Sequence, residues 1–457
     1  MKEKEIILTS DNLVYEDDEI GSYSYSDGIL CYSSHAQMRW SYAVYAGPAN
    51  NEIEGPIVIP SRITICGKEF QVKGINSFCG CRKITSIFVS DSIVDIKGDE
   101  FFSGCDSLES IIIDKNNQFM DSRNDCNAII YTRDNWLILG CKNTIIPSDI
   151  THIRHFAFEN CTGLSSIIIP ESVQSIGEYA FCNCCGLKTI TIPDCVSSIG
   201  TGAFEGCTGL DSIVVSNENS VYDSRNNCNA IIETTSDTLI SGCKNTVIPE
   251  GLTKINEGAF AGITNLKQIK LPSSLLSIGE SSFSNSGLVS IVIPKNVEHI
   301  DNAAFYGCKL LESIIVDKDN SIFDSRNNCN AIIETASNKL LFGCKNTVIP
   351  PTVEIIGESA FQEHDEITTF VIPEGIVEIE PNAFMECRNL KSIYSYIKDP
   401  NSCFVHISAF IEHGDSTTLY VPKGSIDAYK KAQGGWHLFE NIQELKEDNP
   451  FPTHTKE

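Results

Sequence analysis

The sequence of 457 residues predicts a solenoid of stacked coils built mainly from short β-strands. One phenylalanine recurs at a nearly fixed interval, since Phe158, Phe181 and Phe204 are each 23 residues apart. Within each interval apolar and polar residues alternate as they do in a strand that is buried on one face. The string DSRNNCNAII occurs at 223–232 and 324–333, and a near copy occurs at 121–130. Such a period replaces the expectation of three ordinary domains for a chain of this length.

The N-terminal residues, 1–54, lack this repeat. Apolar and polar residues alternate through YSYSDGILCY and WSYAVYAG, a pattern typical of β-hairpins. We therefore expect a β cap on the first coil, followed by a repeat solenoid over residues 55–410. Terminal caps keep such arrays soluble, because they cover the open end of the core.

A single repeat is illustrated by LKTITIP, residues 187–193. Its leucine and two isoleucines are expected to point into the core, while Thr189 and Thr191 point outward. The proline lacks a backbone N–H and suits the end of the strand. One repeat cannot bury its own apolar face, so neighbouring coils must stack their leucine, isoleucine and phenylalanine rows on each other. Short helical turns complete each coil.

Three longer units interrupt the regular spacing, and each contains the recurring string. The unit DSRNNCNAIIETTSDTLISGCKNTVIP (223–249) predicts an inserted β-hairpin, with apolar residues alternating on both sides of a polar turn at 234–237. This register places Glu233 opposite Thr238, Ala230 opposite Ser241, and one cysteine opposite another. The Asp, Ser, Arg and Asn of the string are interpreted as turn-forming residues.

The predicted register gives three equivalent cysteine pairs, because the same fifteen-residue separation recurs in each unit. Directly opposed residues lie within the Cα range of a disulfide. We expect thiols in a reducing compartment and disulfides in an exported protein, and the sequence leaves both open. The pairs are Cys126 with Cys141, Cys228 with Cys243, and Cys329 with Cys344.

At the other end of the chain, residues 411–446 are predicted to form a small capping unit. The segment SIDAYKKA is expected to form a short helix with Ser425 at its N-cap. Trp436 and Phe439 are expected to cover the core of the last coil. Residues 447–457 have the composition of a disordered tail.

The repeat L-x-x-I-x-I-P-x-x-V-x-x-I-G-x-x-A-F-x-x-C resembles the BspA-like class of leucine-rich repeats over about residues 55–410. This resemblance implies a right-handed, curved leucine-rich repeat solenoid with a parallel sheet on its concave face. It also implies a surface or secreted protein of a host-associated microbe. Several family members are adhesins for host matrix proteins or other microbes, and none is known for catalysis.

Charge and hydropathy restrict the partners. The net charge of −26 repels phosphate backbones, so we expect no nucleic-acid binding. No stretch approaches the ~20 apolar residues that cross a bilayer, so we expect no membrane insertion. The start, MKEKEIILTSDN, lacks the apolar run of an export signal. We expect a monomer at the cell surface or secreted, with a cytoplasmic protein as the alternative.

No pattern of catalytic or metal-binding residues emerges. His152 and His155 lie three residues apart but without an evident third ligand. Acidic, Asn-rich loops at 114–118, 216–220 and 317–321 lack the glycine and the closing glutamate of a calcium loop, and we interpret them as solvated turns. The cysteines that follow the recurrent phenylalanine by three residues are interpreted as small packing groups. We therefore expect that the protein is not an enzyme and that it holds no cofactor and no metal ion.

The concave face is the predicted binding surface, because its outward positions carry β-branched and aromatic residues. These side chains are either ordinary strand formers or a partly apolar groove for a protein or glycan. The leading hypothesis is a non-catalytic adhesion module, and the alternative is an intracellular repeat scaffold for protein–protein interaction. The candidate ligand-binding residues are Thr189, Thr191, Val214, Lys270, Val292, Ile315, Val371, Tyr394 and Tyr420.

Overall fold

The computed structural model describes residues 6–7, 13–16, 44–48, 51–65, 68–96, 102–413 and 416–446. The predicted tail at 447–457 and the YSYSDGILCY segment lie outside the described residues. The chain divides into two compact units, residues 1–224 and residues 225–457. Both units consist of stacked coils, as the repeat predicts.

Most regular coils contribute a strand of about four residues to a parallel sheet, and we call these the long strands. From Glu54–Ile59 to Thr418–Val421 the inward residues of these strands are buried and the central outward residues are exposed or half-buried, so the predicted alternation is confirmed. In the first unit the long strands are Ile6–Ile7, Glu54–Ile59, Lys83–Val89 and Ser110–Ile113 in one sheet, and Thr189–Ile192 with Ser212–Val215 in another. In the second unit they are Ser290–Ile293 with Ser313–Val316, and then Thr369–Ile372, Ser392–Ser395, Thr418–Val421 and Asn441–Glu444.

A second parallel ladder, built from strands of two residues, runs beside the long strands and closes each coil. In the first unit these short strands are Asp95–Ile96, His152–Ile153, Ser175–Ile176 and Ser198–Ile199. In the second unit they are Lys254–Ile255, Ser277–Ile278, His299–Ile300, Ile355–Ile356, Glu378–Ile379 and Phe404–Val405. Two ladders per coil with very little helix define a β-solenoid. Its handedness and the concavity of the long-strand face remain predictions.

The N-terminal cap is described only in part. Leu13–Glu16 pairs antiparallel with Val44–Pro48, as a β cap requires. Val44–Pro48 in turn pairs parallel with Lys68–Ile75, which forms a hairpin with Arg62–Ile65. The cap therefore joins the solenoid by backbone hydrogen bonds.

The recurrent phenylalanines stack as a ladder through the core of each unit. In the first unit the ring centroids of Phe158 and Phe181 are 5.0 Å apart, and those of Phe181 and Phe204 are 5.4 Å apart. In the second unit the rings of Phe260 and Phe283 are 5.2 Å apart and within 1° of parallel. This spacing is close to the ~4.8 Å between paired strands, so one ring per coil fills the core without a gap.

The cysteines three residues after these rings do more than fill space. The Cys207 thiol donates a hydrogen bond of 3.0 Å to the Phe181 carbonyl in the preceding coil, and the Cys387 thiol donates one of 3.1 Å to Phe361. Burial raises the pKa of both Cys207 and Cys387 to about 12. The thiols therefore stay protonated and remain donors, which confirms the packing interpretation and adds a link between coils.

Three hairpins interrupt the regular coils, as the recurring string predicts. The second strand of each hairpin pairs in parallel with the short strand of the next coil, so each hairpin begins a new short-strand ladder. The strands of the three insertions are Met120–Asp121, Ala128–Tyr131 and Trp136–Gly140; Tyr222–Asp223, Ala230–Glu233 and Thr238–Gly242; and Phe323–Asp324, Ile332–Glu334 and Lys339–Phe342.

The start of the recurring string forms a tight turn, Arg123–Asp125 in the first copy, Arg225–Asn227 in the second and Arg326–Asn328 in the third. Asn327 and Asn328 have φ values of 59° and 51°, in the left-handed region that asparagine tolerates better than most residues. Arg326 donates to the Asp324 carboxylate at 2.6 Å and forms a local ion pair with it. The string is therefore a structural turn followed by a strand.

The predicted hairpin register is wrong beyond Ile232. Glu233 faces Thr238 and Ile232 faces Leu239 as predicted, but Ala230 faces Gly242 and not Ser241. A β-bulge causes the difference, because one extra residue enters the second strand between Leu239 and Ser241. The same bulge occurs in the other two hairpins.

The Asn-rich loops before each hairpin are more than solvated turns, because one asparagine in each loop hydrogen-bonds to the preceding coil. The amide of Asn219, a buried side chain, donates to the carbonyls of Pro193 and Val196 in the preceding coil. Its oxygen accepts from the backbone N–H groups of Val221 and Tyr222. Asn117 and Asn320 make the equivalent four bonds. One asparagine thus fastens each hairpin unit to the coil before it.

The C-terminal cap contains the α-helix Ile426–Lys431 and the turn Gly434–Leu438. Ser425 precedes the helix as predicted, but its hydroxyl donates to the Lys398 carbonyl and makes no cap hydrogen bond. Trp436 and Phe439 are buried against the last coil, where Phe439 meets Phe410 edge-on at 5.0 Å. These two aromatic residues cover the end of the core, as predicted.

Candidate functional site

The candidate surface is the exposed side of the long strands, which we call the strand face. It consists of the outward residues at the centre of each strand. In the first unit Thr191 pairs in register with Val214, and both are exposed. In the second unit Val292 pairs with Ile315, and these side chains are 53% and 50% exposed. The structure therefore places these four predicted residues in two short rows on the surface.

The remaining predicted residues lie on the same kind of surface. Thr189 precedes Thr191 on one strand and is exposed, and Lys270 is exposed on its coil. Val371, Tyr394 and Tyr420 form one row in register across three parallel strands, and each is half-buried. The rings of Tyr394 and Tyr420 stack with centroids 4.7 Å apart and planes 10° from parallel.

Two of the most exposed apolar residues were missed from the sequence. Ile145 is 73% exposed and Val247 is 72% exposed, and both occupy the central outward position of the coil that follows a hairpin. Their segments read NTIIP and NTVIP, where a threonine replaces the first inward isoleucine of the repeat, and neither segment forms a strand. The ending Ile-Ile-Pro or Val-Ile-Pro, which matches the end of a regular repeat strand, was the signal that could have identified them.

The strand face is interrupted beside each hairpin. In the second unit the residue equivalent to Ile145 is Val247. Its backbone N–H donates to the Cys228 carbonyl of the hairpin turn and not to another long strand. The Thr246 hydroxyl donates to the Asn229 carbonyl of the same turn. The turn therefore takes the place of a neighbouring strand beside Val247.

The six hairpin cysteines are buried free thiols in the structure. Cys344 packs in a core cluster with Phe305 and Phe342, whereas Cys329 packs in a separate cluster with Phe361. The bulge removes the predicted direct opposition, so the two thiols of one hairpin do not face each other. Burial raises the pKa of Cys329 to about 11. The same holds for Cys126, with a pKa of about 11.

The histidines singled out in the sequence serve local contacts. His152 Nδ1 lies 2.9 Å from the Thr151 hydroxyl, and its ring lies 5.1 Å from that of Trp136. His155 Nδ1 accepts the backbone N–H of Glu178 in the next coil. Among the residues that the structure describes, no group of three His, Cys, Asp or Glu side chains is placed to hold a metal ion.

Membrane insertion through a helix has no candidate in the described part of the chain. No helix there combines the length and the apolar character that a bilayer crossing needs.

A family model described as the BspA type leucine rich repeat region matches residues 60–127, 139–238, 239–339 and 333–423, with six copies. These matches cover well over half of the chain. A comparison with curated proteins finds no match.

Several solved structures are similar to the chain, among them the following three. A leucine-rich repeat protein from Bacteroides ovatus is 21% identical, with 95% of this chain and 99% of that chain covered and a TM-score of 0.32. A leucine rich cell surface protein from Faecalibacterium prausnitzii is 21% identical, with 86% and 93% covered and a TM-score of 0.34. The pneumococcal vaccine antigen PcpA is 17% identical, with 96% and 98% covered and a TM-score of 0.35.

Proposed function

The chain belongs to the BspA-type leucine-rich repeat family, and we propose that it is a non-catalytic binding module whose strand face holds a host or microbial protein or glycan. Family members are mostly surface or secreted proteins, several of them adhesins, and this supports a place at the cell surface. The proposal rests on one observation above all. Rows of β-branched and aromatic side chains stand exposed on the long strands, although water disfavours such surface unless it meets a partner.

The chemistry of the strand face suits recognition. Exposed Val292 and Ile315 supply apolar area, while the stacked pair of Tyr394 and Tyr420 supplies rigid rings that carry hydroxyl groups. Tyrosine is enriched in protein interfaces because it buries a large area with few rotatable bonds. The flanking Thr189, Ser212, Ser290 and Ser313 add hydroxyl groups for hydrogen bonds to a protein backbone or a sugar.

A binding screen with matched variants tests the proposal. The full chain is assayed against host matrix proteins, mucins and a glycan array, together with a face variant carrying Ile112→Lys, Val214→Lys and Ile315→Lys. The control variant carries Phe119→Lys, Val377→Lys and Ile407→Lys, which are exposed apolar residues that lie off the central positions of the long strands. We expect binding that is at least ~10-fold weaker in the face variant, a loss of about 1.4 kcal/mol, and unchanged in the control.

Two results would overturn the proposal. One is a screen in which the wild-type chain binds nothing. The other is a ligand that binds the face variant and the wild type equally well.

A further inference from the structure

A groove opens on the strand face beside the second hairpin. It has a volume of about 530 Å³ and is lined by residues 246–248, residues 268–272 and residues 290–292, with Glu250 at its edge. Within the part of the chain that the structure describes, no β-ladder includes Gln268–Leu271, although the next two coils pair as Ser290–Ile293 with Ser313–Val316. Ligand sites in proteins commonly have volumes of roughly 300–1,000 Å³.

The third hairpin block shows what closes the equivalent gap. Phe370 stands there in place of Ile269, 101 residues earlier. Phe370 is only 5% exposed and packs edge-on against Phe361 at 4.8 Å and Phe384 at 4.6 Å. Its strand, Thr369–Ile372, pairs with the next coil. Ile269 is smaller and stays half-buried, and its segment, Gln268–Leu271, is in none of the described β-ladders. A larger apolar side chain therefore completes this part of the fold.

One cation and one anion line the groove. The anion, Glu250, accepts hydrogen bonds from the backbone N–H and the hydroxyl of Ser273. The cation is Lys270, which occupies a central outward position. The other central outward residues of the second unit are uncharged: Val247, Val292, Ile315, Val348, Val371, Tyr394, Tyr420 and Gln443. Lys270 is exposed, and among the described residues it has neither a hydrogen bond nor an ion pair. An ammonium beside an apolar surface favours a ligand that carries a carboxylate next to an apolar group.

We propose that this groove accepts a large apolar side chain, aromatic or aliphatic, from a protein partner, with a neighbouring Asp or Glu of that partner paired to Lys270. The proposal rests on the proposed function and names the partner chemistry of one part of the strand face. The lining is mostly apolar, with Ile248, Ile269, Leu271 and Ile291 at its floor. Such a floor suits a hydrocarbon or aromatic group better than a sugar, whose hydroxyls need polar partners.

Three single variants separate the parts of the proposal. Ile269→Phe copies the third block and fills the groove with a side chain that this fold already accommodates. Lys270→Glu reverses the charge at an exposed position. Leu276→Phe adds the same ring as the first variant to an exposed position of the same coil but away from the groove. We expect Ile269→Phe to melt at or above the wild-type temperature, so lost binding cannot come from unfolding.

A random-peptide library displayed on phage is selected on the full wild-type chain, and the recovered peptides are then made and measured by fluorescence polarisation. We expect peptides with Phe, Trp or Leu beside Asp or Glu. Their affinity should fall at least about tenfold for Ile269→Phe and stay unchanged for Leu276→Phe. Lys270→Glu should weaken them and instead select peptides with Lys or Arg. Added salt should weaken binding to the wild type more than to Lys270→Glu.

The outcomes distinguish this proposal from the one on which it rests. Peptides that bind Ile269→Phe as well as the wild type, or a selection without the expected motif, overturn the groove proposal. Displacement of a fluorescent fatty acid by oleate without any peptide binding also overturns it, in favour of a lipid occupant. If the face variant loses its screened ligand while the groove variants keep it, the strand face binds and the groove does not.

Discussion

Gly242 lies directly against the ring of Phe260, so that a Cβ built on the glycine would stand 2.1 Å from Cε1 of that ring. Gly140 meets Phe158 and Gly343 meets Phe361 in the same way, each at 2.0 Å. The glycine before the second cysteine of each hairpin is thus required, because a side chain at that position would overlap the phenylalanine ring. It lets the first ring of the following phenylalanine ladder pack under the end of the hairpin.

We expect Gly242→Ala to destabilise the chain by roughly 1–3 kcal/mol, the usual cost of forcing an extra carbon into a packed core. Urea unfolding measures the loss. Phe260→Leu in the same chain should relieve the clash, so the cost of the double variant should be less than the sum of the two single costs. Additive costs would mean that the ring is not the cause.

Phe181→Ala should lower the free energy of unfolding by about 3–5 kcal/mol, because it removes a fully buried ring from the middle of a stack. Phe119→Ala is the matched control, since this side chain is half exposed in the same unit. Its change should be small. Equal effects of the two substitutions on the urea midpoint would contradict the ladder as a source of stability.

Asn219→Ala removes four hydrogen bonds that join a hairpin unit to the coil before it. Each buried group left without a partner costs roughly 1–3 kcal/mol, so we expect a clear drop in the melting temperature. Asn217→Ala, in the same loop but exposed, should change it little. Hydrogen exchange should also accelerate at Val221 and Tyr222 in the Asn219 variant, and unaltered exchange there would argue against this role.

The stability of the third hairpin should depend on pH through Asp324. Burial alone would raise the pKa of this carboxyl, but hydrogen bonds from Arg326 and from the Thr335 hydroxyl outweigh burial and lower it. A lowered folded pKa gives stability that is complete above the unfolded value of about 3.9 and is lost as pH falls through the folded pKa. Asp324→Asn should therefore be less stable than the wild type at neutral pH.

Urea midpoints from pH 7 down to pH 3 check this prediction. The difference between the wild type and Asp324→Asn should persist to about pH 4 and shrink below it. Asp319→Asn, an exposed neighbour, should follow the wild type throughout. Ligand binding by Asp324→Asn should remain intact, because the residue stabilises a turn. A difference that is constant or grows as the pH falls would refute the assignment.

Much of this fold follows from patterns that are local in sequence. The period of the phenylalanines predicts the stacked rings, and the alternation in LKTITIP predicts which side chains of that coil are exposed. The hairpin turn predicted after Glu233 is also present in the structure. The bulge at Ile232 was not predictable from the hairpin alone, because it accompanies the contact of Gly242 with Phe260 in the next coil.

The candidate site shows the same limit. The outward position of Val292 and Ile315 follows from strand periodicity, and the structure places them accordingly. The groove at Ile269 depends on whether one coil pairs with the next, which is decided by side-chain size and by the neighbouring hairpin. Only a comparison of Ile269 with Phe370 in folded surroundings makes the gap evident.

The position of each hairpin at the start of a short-strand ladder has a genetic consequence. Each hairpin block carries its own ladder, which begins at the hairpin and runs through the coils that follow it. Residues 223–249 and 324–350 match at 22 of 27 positions, and they are offset by 101 residues. Unequal exchange between two such stretches of coding sequence would add or remove one whole block in frame. The product would gain or lose one complete short-strand ladder and leave the others intact, so a lineage can vary the length of its solenoid without redesigning the core.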